Sequence, residues 1–292
     1  MIIVKLNGGL GNQMFQYAAG FSIAKKCNTD LLLDTRIFDN HSIHNGFELD
    51  RVFLINSNIA NKNQIKKLIG WRDTYLGQRI MNYTNLKLLE GQNFYKERSR
   101  FFDHNFISKK KNIYLLGYWQ SENFFLSYSD QIRNKFIFRQ LFSKKNEIIA
   151  NEIRKTNNTV SIHFRRSDYV STKQKRGNHG TCPISYYLAA MKKIEKEVTK
   201  PKYFIFSDDI QWVKKNFKFK KNYHIVNSNN GPESYNDMRL MSLCDHNIIA
   251  NSSFSWWGAW LNSNTNKIVV APKKWFLNKS DLFIVPKSWI KI

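Results

Sequence analysis

From Thr159 onward, strand and helix patterns alternate about five times, and this restricts the fold more than any other feature of the chain. Val160–Phe164, Lys202–Phe206, Asn222–Val226, His246–Ala250 and Lys267–Ala271 are short apolar runs with β-branched or aromatic residues, which predicts strands. Between them lie helical patterns. Pro183 stands at a helix's first turn, and Ile184, Tyr187, Leu188, Met191 and Ile194 form an apolar stripe with lysines on the opposite side. Further helices are predicted up to Asn216 and over Glu233–Cys244, and Trp256, Trp257 and Trp260 read as the packed face of another. Such alternation predicts a doubly wound parallel sheet with helices on both faces. In these sheets ligands bind beyond the carboxyl ends of the strands.

Three polar segments fall at those ends. The first closes Val160-Ser161-Ile162-His163-Phe164-Arg165-Arg166-Ser167-Asp168-Tyr169. Paired guanidinium groups at a strand mouth need an anionic partner, because an unpaired desolvated charge is costly. The arginine fork matches phosphate oxygens two at a time, and each such bond contributes roughly 1.5–3 kcal/mol. Asp168 is placed to hold one fork while the other reaches a ligand. The second segment, Ser207-Asp208-Asp209, reads as a helix cap or as an acceptor for a base or ribose. The third, Asn251-Ser252-Ser253-Phe254-Ser255, offers hydroxyls and helix N-terminal amides, which suit phosphate. Each could be only a cap, but their recurrence at one sheet edge points to a shared ligand, a nucleoside diphosphate. His163 reads first as a hydrogen-bonded structural histidine.

The first half is less regular. Val4-Lys5-Leu6 runs into Asn7-Gly8-Gly9-Leu10-Gly11-Asn12-Gln13, and a helix follows with Met14, Tyr17, Ala18 and Phe21 on one face. This opens an α/β unit. It is not a P-loop, and Met14 replaces the third glycine of a dinucleotide fingerprint. Gly9 and Gly11 fit a phosphate cradle or a plain tight turn equally well, and Asn12-Gln13 places two amides at the ligand-facing helix start. Leu31–Leu33 and Asn112–Leu116 are further strands. The second leads to Gly117-Tyr118-Trp119-Gln120, where Trp119 and Gln120 suit a sugar or form the edge of an aromatic core. A helix is expected over Asp130–Phe138, whereas Asp39–Phe106 shows little periodicity.

Bulk properties exclude several classes. With 292 residues and 42% hydrophobic content the chain can bury one large core or two ordinary ones. No apolar run reaches the roughly 18–20 residues of a transmembrane helix, and the N-terminus lacks a signal-peptide pattern. Cys27, Cys182 and Cys244 are scattered, as expected of reduced cytosolic thiols rather than disulfides or a metal site. The net charge of +24 invites a nucleic-acid reading. Its lysines are dispersed and not interleaved with aromatics, so most of the charge is expected on solvated surface. A smaller share would meet anionic membrane lipid or steer an anionic substrate.

Four segments resemble the bacterial α-1,2-fucosyltransferases of glycosyltransferase family 11. They are Gly8-Gly9-Leu10-Gly11-Asn12-Gln13-Met14-Phe15-Gln16-Tyr17, His163-x-Arg165-Arg166-x-Asp168-Tyr169, Phe206-Ser207-Asp208-Asp209 and Ile249-Ala250-Asn251-Ser252-Ser253-Phe254-Ser255-Trp256-Trp257-Gly258. They occur in the family's order and span nearly the whole chain. Ser167 stands where the family usually carries glycine. The Asp39–Phe106 stretch matches no motif and is where acceptor preference is expected.

The resemblance implies a GT-B-like architecture of two Rossmann-like α/β domains facing across a cleft. Residues 1–152 would form the acceptor-side domain and 153–292 the GDP-fucose-binding domain. It implies inverting transfer of L-fucose from GDP-β-L-fucose to the 2-hydroxyl of a terminal galactose, on an O-antigen or related and even lipid-linked glycan. Related fucosyltransferases use no divalent metal, and no Asp-x-Asp motif follows a strand here, so no cofactor is expected. Arg165, Arg166 and Asn12 are the expected catalytic residues. His163, Asp168, Ser207, Asp208, Asp209, Asn251, Ser252, Ser253, Phe254, Ser255, Gly9 and Gly11 are expected to contact the donor, and Trp119 and Gln120 the acceptor. The backbone amides of Ser253 and Phe254 would assist the arginines, and no residue is marked as general base. The expected location is the cytoplasm, with peripheral contact at the inner membrane face and no nucleic-acid partner. The alternatives are a GT-B enzyme for another nucleotide sugar and a basic nucleic-acid-binding protein.

Overall fold

The structure, a computed structural model, describes residues 1–39, 44–83, 92–97, 111–166, 180–218, 222–277 and 283–292. It divides into two compact units, Met1–Arg139 and Gln140–Ile292.

The first unit contains β1 (Ile2–Lys5), α1 (Leu10–Lys26), β2 (Leu31–Asp34), the short α2 (Leu49–Val52), α3 (Lys62–Ile69), α4 (Tyr75–Tyr83), β3 (Phe94–Lys96), β4 (Ile113–Leu116) and α5 (Ser129–Lys135). Its sheet has the order β2-β1-β4-β3, and every pairing is parallel. Alternation along the strands sets the faces. Ile3, Leu32, Phe94 and Tyr114 share one face and pack under Ile65, Leu68 and Ile69 of α3. Burying each such side chain stabilises the fold by roughly 1.5–3 kcal/mol.

The second unit contains α6 (Lys144–Lys155), β5 (Thr159–Phe164), α7 (Ile184–Glu197), β6 (Lys202–Ser207), α8 (Ile210–Asn216), β7 (Tyr223–Ile225), α9 (Tyr235–Leu243), β8 (His246–Ile248), α10 (Ser253–Leu261), β9 (Val269–Ala271) and β10 (Ile290–Lys291). Its sheet runs β10-β9-β8-β5-β6-β7, again all parallel. Val160, Ile162, Phe164, Tyr203 and Ile205 face α7 and α8. Phe204 and Phe206, one residue out of phase, face α6 and α9. The doubly wound parallel sheet predicted from the alternation is therefore observed, as is a second α/β unit before it.

The division falls after Arg139, earlier than the sequence expectation of a boundary after Glu152. Two contacts explain the difference. Arg139 donates from Nε to the carbonyls of Asp50 and Phe53, at 2.8 and 3.1 Å, which closes the first unit. Ile149, Ala150 and Ile153 of α6 are spent on Phe204 and Phe206 of the second sheet, so α6 belongs wholly to that sheet.

Candidate active site

In the second sheet the chain steps from β5 to β6 and β7 in one direction and from β8 to β9 and β10 in the other. The order reverses between β5 and β8. The segments leaving these two strands diverge to opposite faces, α7 onto one and α10 beside α9 on the other. A crevice at such a point is where doubly wound sheets bind ligands. Arg165 and Arg166 follow β5, and Asn251-Ser252-Ser253 follows β8.

Both arginines are held by the segment after the neighbouring strand β6. Arg165 Nη1 lies 3.2 Å from Asp208 Oδ2, and the Arg166 amide donates to Asp208 Oδ1 at 2.8 Å. The Arg166 guanidinium lies 3.6 Å from the ring centre of Trp212, with Nε 3.8 Å from Asp209 Oδ2. That Nε is buried and has no hydrogen-bond partner among the described residues. Stacking on an indole fixes the guanidinium plane at a gain of about 0.5–2 kcal/mol and leaves its edge for a ligand. Asp209 is also committed to its own helix, accepting from the Trp212 amide at 3.0 Å, while Ser207 Oγ accepts from the Asp209 amide at 2.9 Å. The acidic pair thus orients arginines and caps α8. Asp168, foreseen as holding one arginine fork, lies outside the described residues.

His163 points to the α9–α10 face, its ring centre 5.9 Å from that of Phe254. It is buried, and its Nδ1 has no hydrogen-bond partner among the described residues. Burial, aided by the Arg165 charge, pushes its pKa down to about 3, so it is neutral at physiological pH.

The serine segment divides by role. Asn251 is buried and donates to the carbonyls of Gly180 and Trp275, each at 3.2 Å, which anchors the turn. Ser252 caps α10, accepting from the Phe254 amide at 3.3 Å, so that amide is engaged within the protein and not reserved for phosphate. Ser255 is fully buried and reaches back to the Ser252 carbonyl. Ser253 and Phe254 are partly exposed at the first turn of α10, which carries no acidic residue. Trp256, Trp257 and Trp260 pack together in the core, as expected.

In the first sheet β1 and β4 are parallel neighbours, and a different chemistry occupies the loops that follow them. Gly8 has φ +80°, and a Cβ there would sit 2.6 Å from Asn12 Nδ2, so the turn requires glycine. The Leu10 amide at the start of α1 donates to Glu48 Oε2 at 3.2 Å. A carboxylate already occupies the place a phosphate would take, so the cradle reading of Gly9 and Gly11 is not supported and the tight turn is what forms. Gln13 ties the Gly8 and Gly46 carbonyls to the Glu48 amide, and Gln16 joins the Asn7 amide to the Gly117 carbonyl. Asn12 Oδ1 accepts from Gln120 Nε2 at 2.8 Å, so two expected site residues meet across β1 and β4. Trp119 does not offer a sugar platform: at 1% exposure it packs on Tyr95 and Phe124. Its neighbour Tyr118 is the exposed ring of that loop.

With this geometry established, comparison with known proteins is decisive. The family model described as glycosyl transferase family 11 matches residues 1–292. The chain belongs to glycosyltransferase family 11. An Escherichia coli α-1,2-colitosyltransferase is 33% identical to it, covering 100% of this chain and 99% of that protein. The E. coli O-antigen biosynthesis glycosyltransferase WbnK is 35% identical over 98% of this chain and 99% of its own length. Among solved structures, the fucosyltransferase NodZ from Bradyrhizobium shares the fold with a TM-score of 0.54 at 14% identity, covering 88% of this chain and 91% of that one.

For this family 11 chain, the sequence singled out both arginines and the loops that hold them but missed three contributors. Trp212 clamps Arg166, and its signal was an aromatic three residues beyond the capping Asp209. Glu48 caps α1 from a stretch without periodicity. Asp237 lies in the first turn of α9 and accepts from Asn229 Nδ2 at 2.7 Å, on the same strand-end edge as β5 and β6. Burial pushes its carboxyl up to about 7, a perturbation common at ligand sites. Among the described residues no group of three His, Cys, Asp or Glu side chains is placed to hold a metal ion.

Proposed function

We propose that this glycosyltransferase moves L-fucose from GDP-β-L-fucose to the 2-hydroxyl of a terminal galactose, with inversion and without a divalent metal, during assembly of an O-antigen or related surface glycan. The observation carrying this reading is the pair Arg165 and Arg166, oriented by Asp208, Asp209 and Trp212 at the β5–β8 reversal. The sugar–phosphate bond breaks early, so charge grows on the β-phosphate as the sugar becomes oxocarbenium-like. Donors already aimed at that charge lower the barrier, and removing one typically costs about 3–4 kcal/mol. The partly exposed first turn of α10 supplies further positive potential. A neutral His163 adds no positive charge at this edge, so the arginines carry the neutralisation. Asp237, in the first turn of α9 on that edge, would accept from a donor's base. In the first unit Asn12 and Gln120, joined by a hydrogen bond, address the acceptor hydroxyls.

Supporting the donor, NodZ, a neighbour in fold, is an α-1,6-fucosyltransferase whose crystal structure was obtained soaked with GDP-fucose. Supporting the linkage and setting, one relative is named for α-1,2 transfer and another for O-antigen biosynthesis. The colitosyltransferase also favours a second reading, in which the donor sugar is colitose, the 3-deoxy counterpart of L-fucose. A site built to hydrogen-bond the 3-hydroxyl rejects the deoxy sugar by roughly 10⁴-fold or more. The test offers GDP-fucose, GDP-colitose and UDP-sugars to the chain with a panel of β-galactosides in EDTA, and assigns product linkage by NMR. An α-1,2-fucosyl product is expected. Turnover of GDP-colitose alone would establish the second reading, and turnover of UDP-sugars alone would defeat both.

A further inference from the structure

The first unit exposes three large apolar side chains within six residues: Trp71 at 46%, Tyr75 at 82% and Leu76 at 66%. Single exposed apolar residues are ordinary on protein surfaces, as with Leu188 on α7, but a contiguous group marks an interaction surface. These three sit on a tip made by α3, the Gly70–Asp73 turn and α4. The apolar stripe of α3, Ile65, Leu68 and Ile69, is spent on the sheet, which leaves Lys62, Lys66 and Lys67 exposed beside the tip. Arg79 is exposed on α4, and the Arg72 guanidinium rides 5.1 Å from the Trp71 ring centre. The acid in this run, Asp73, is bound by both terminal nitrogens of Arg36 at 3.0 and 2.8 Å. The surface is therefore basic as well as aromatic.

The tip is ordered before any partner arrives. Asn61 and Gln64 form a reciprocal cap at the start of α3. Thr74 Oγ1 donates to the Trp71 carbonyl at 2.7 Å and accepts from the Gly77 amide at 3.1 Å. A Cβ on Gly77 would overlap the Trp71 carbonyl oxygen, so glycine lets α4 close onto the turn. A braced tip loses little conformational freedom on docking.

We propose that this tip docks on the surface of an anionic phospholipid bilayer, Trp71, Tyr75 and Leu76 entering the headgroup region while the surrounding lysines and arginines meet lipid phosphates. Charge complementarity selects this occupant. Each cation near an anionic leaflet contributes about 1 kcal/mol, and Trp and Tyr rings favour the membrane interface. No helix of the described residues is long and apolar enough to cross a membrane, so the contact is peripheral. The proposal is independent of which sugar is transferred.

Vesicle flotation of the full chain tests it. Wild type is expected to float with phosphatidylcholine vesicles containing about one-third phosphatidylglycerol and not with pure phosphatidylcholine. Trp71→Ser/Tyr75→Ser/Leu76→Ser and, separately, Lys66→Glu/Lys67→Glu are expected to weaken partitioning by about tenfold or more. Both should keep the wild-type melting temperature. Lys192→Glu/Lys196→Glu, an equal charge change at exposed sites on α7, is expected to leave flotation within about twofold. The proposal is overturned if wild type does not float, if the tip variants float as well as wild type, or if the α7 variant loses binding equally. It is also overturned if sedimentation shows a wild-type dimer that the triple variant dissolves while flotation is unchanged.

Discussion

The two parallel sheets place opposite chemistry after their central strands. In the first unit polar loops follow the neighbouring strands β1 and β4, and in the second they follow β5 and β8, where the strand order reverses. In the first unit the helix start is closed by a carboxylate, Glu48, and the loops are laced by the amides of Asn12, Gln13, Gln16 and Gln120. In the second, two guanidinium groups stand at the strand mouth, and carboxylates aim them. Topology fixes where a ligand sits, whereas the sign of the charge at the helix start decides which ligand. An anionic diphosphate suits the loops after β5 and β8, and neutral sugar hydroxyls suit those after β1 and β4.

The largest expected effect falls on the arginines. Arg166→Ala should lower kcat for transfer by about 10²–10³ with little change in the acceptor KM. Arg166→Lys should restore only part of this, because lysine lacks the planar fork that stacks on Trp212. Steady-state kinetics with GDP-fucose checks both, and near-native turnover in Arg165→Ala and Arg166→Ala alike would erase the contrast between the sheets.

Next comes the carboxylate of the first unit. Glu48→Gln removes the charge facing Leu10 and Arg51 and should destabilise the fold by about 1–3 kcal/mol in urea unfolding. Its donor KM should stay at the wild-type value. A clearly tighter donor KM would mean that the glycine turn binds phosphate after all.

His163 gives a pH signature. Its pKa is pushed down to about 3 in the fold, against about 6.5 when unfolded, so below pH 6.5 the unfolded chain binds the extra proton. The stability that the neutral imidazole permits is complete above pH 6.5 and falls as pH drops from there toward 3, by at most about 1.4 kcal/mol per pH unit. His163→Gln should flatten that part of the urea-midpoint profile, while the contribution of His246, whose pKa burial also lowers, remains. Parallel profiles for variant and wild type would contradict the burial of His163.

The smallest effect is on Trp212. Trp212→Leu removes the stack but keeps the bulk, which should cost about 1 kcal/mol of transition-state stabilisation, or about fivefold in kcat. An unchanged kcat would mean that Asp209 alone aims Arg166.

How much of this was legible beforehand follows from periodicity. The second sheet was readable because short runs rich in β-branched and aromatic residues, Val160–Phe164 and Tyr203–Phe206 above all, alternate with striped helices. The edge strands β3 and β10 escaped, being three and two residues long with too little pattern to count. Arg165 and Arg166 were legible because desolvated charge at a strand end demands a partner. Their restraint by Asp208 and Trp212 was not, since it depends on β5 and β6 lying side by side. Glu48 could not be linked to α1 because the contact closes over thirty-eight residues through a stretch with no repeat. Trp119 misled because an aromatic beside amides reads alike whether it faces a sugar or its own core.

The central claim is tested most directly by a crystal structure of the chain with GDP in metal-free buffer. The diphosphate is predicted within hydrogen-bonding distance of the Arg165 or Arg166 guanidinium, beside the first turn of α10. A diphosphate lodged instead on the Gly8–Gly11 turn of the first unit, or bridged to the protein by a captured cation with both arginines turned away, would contradict it.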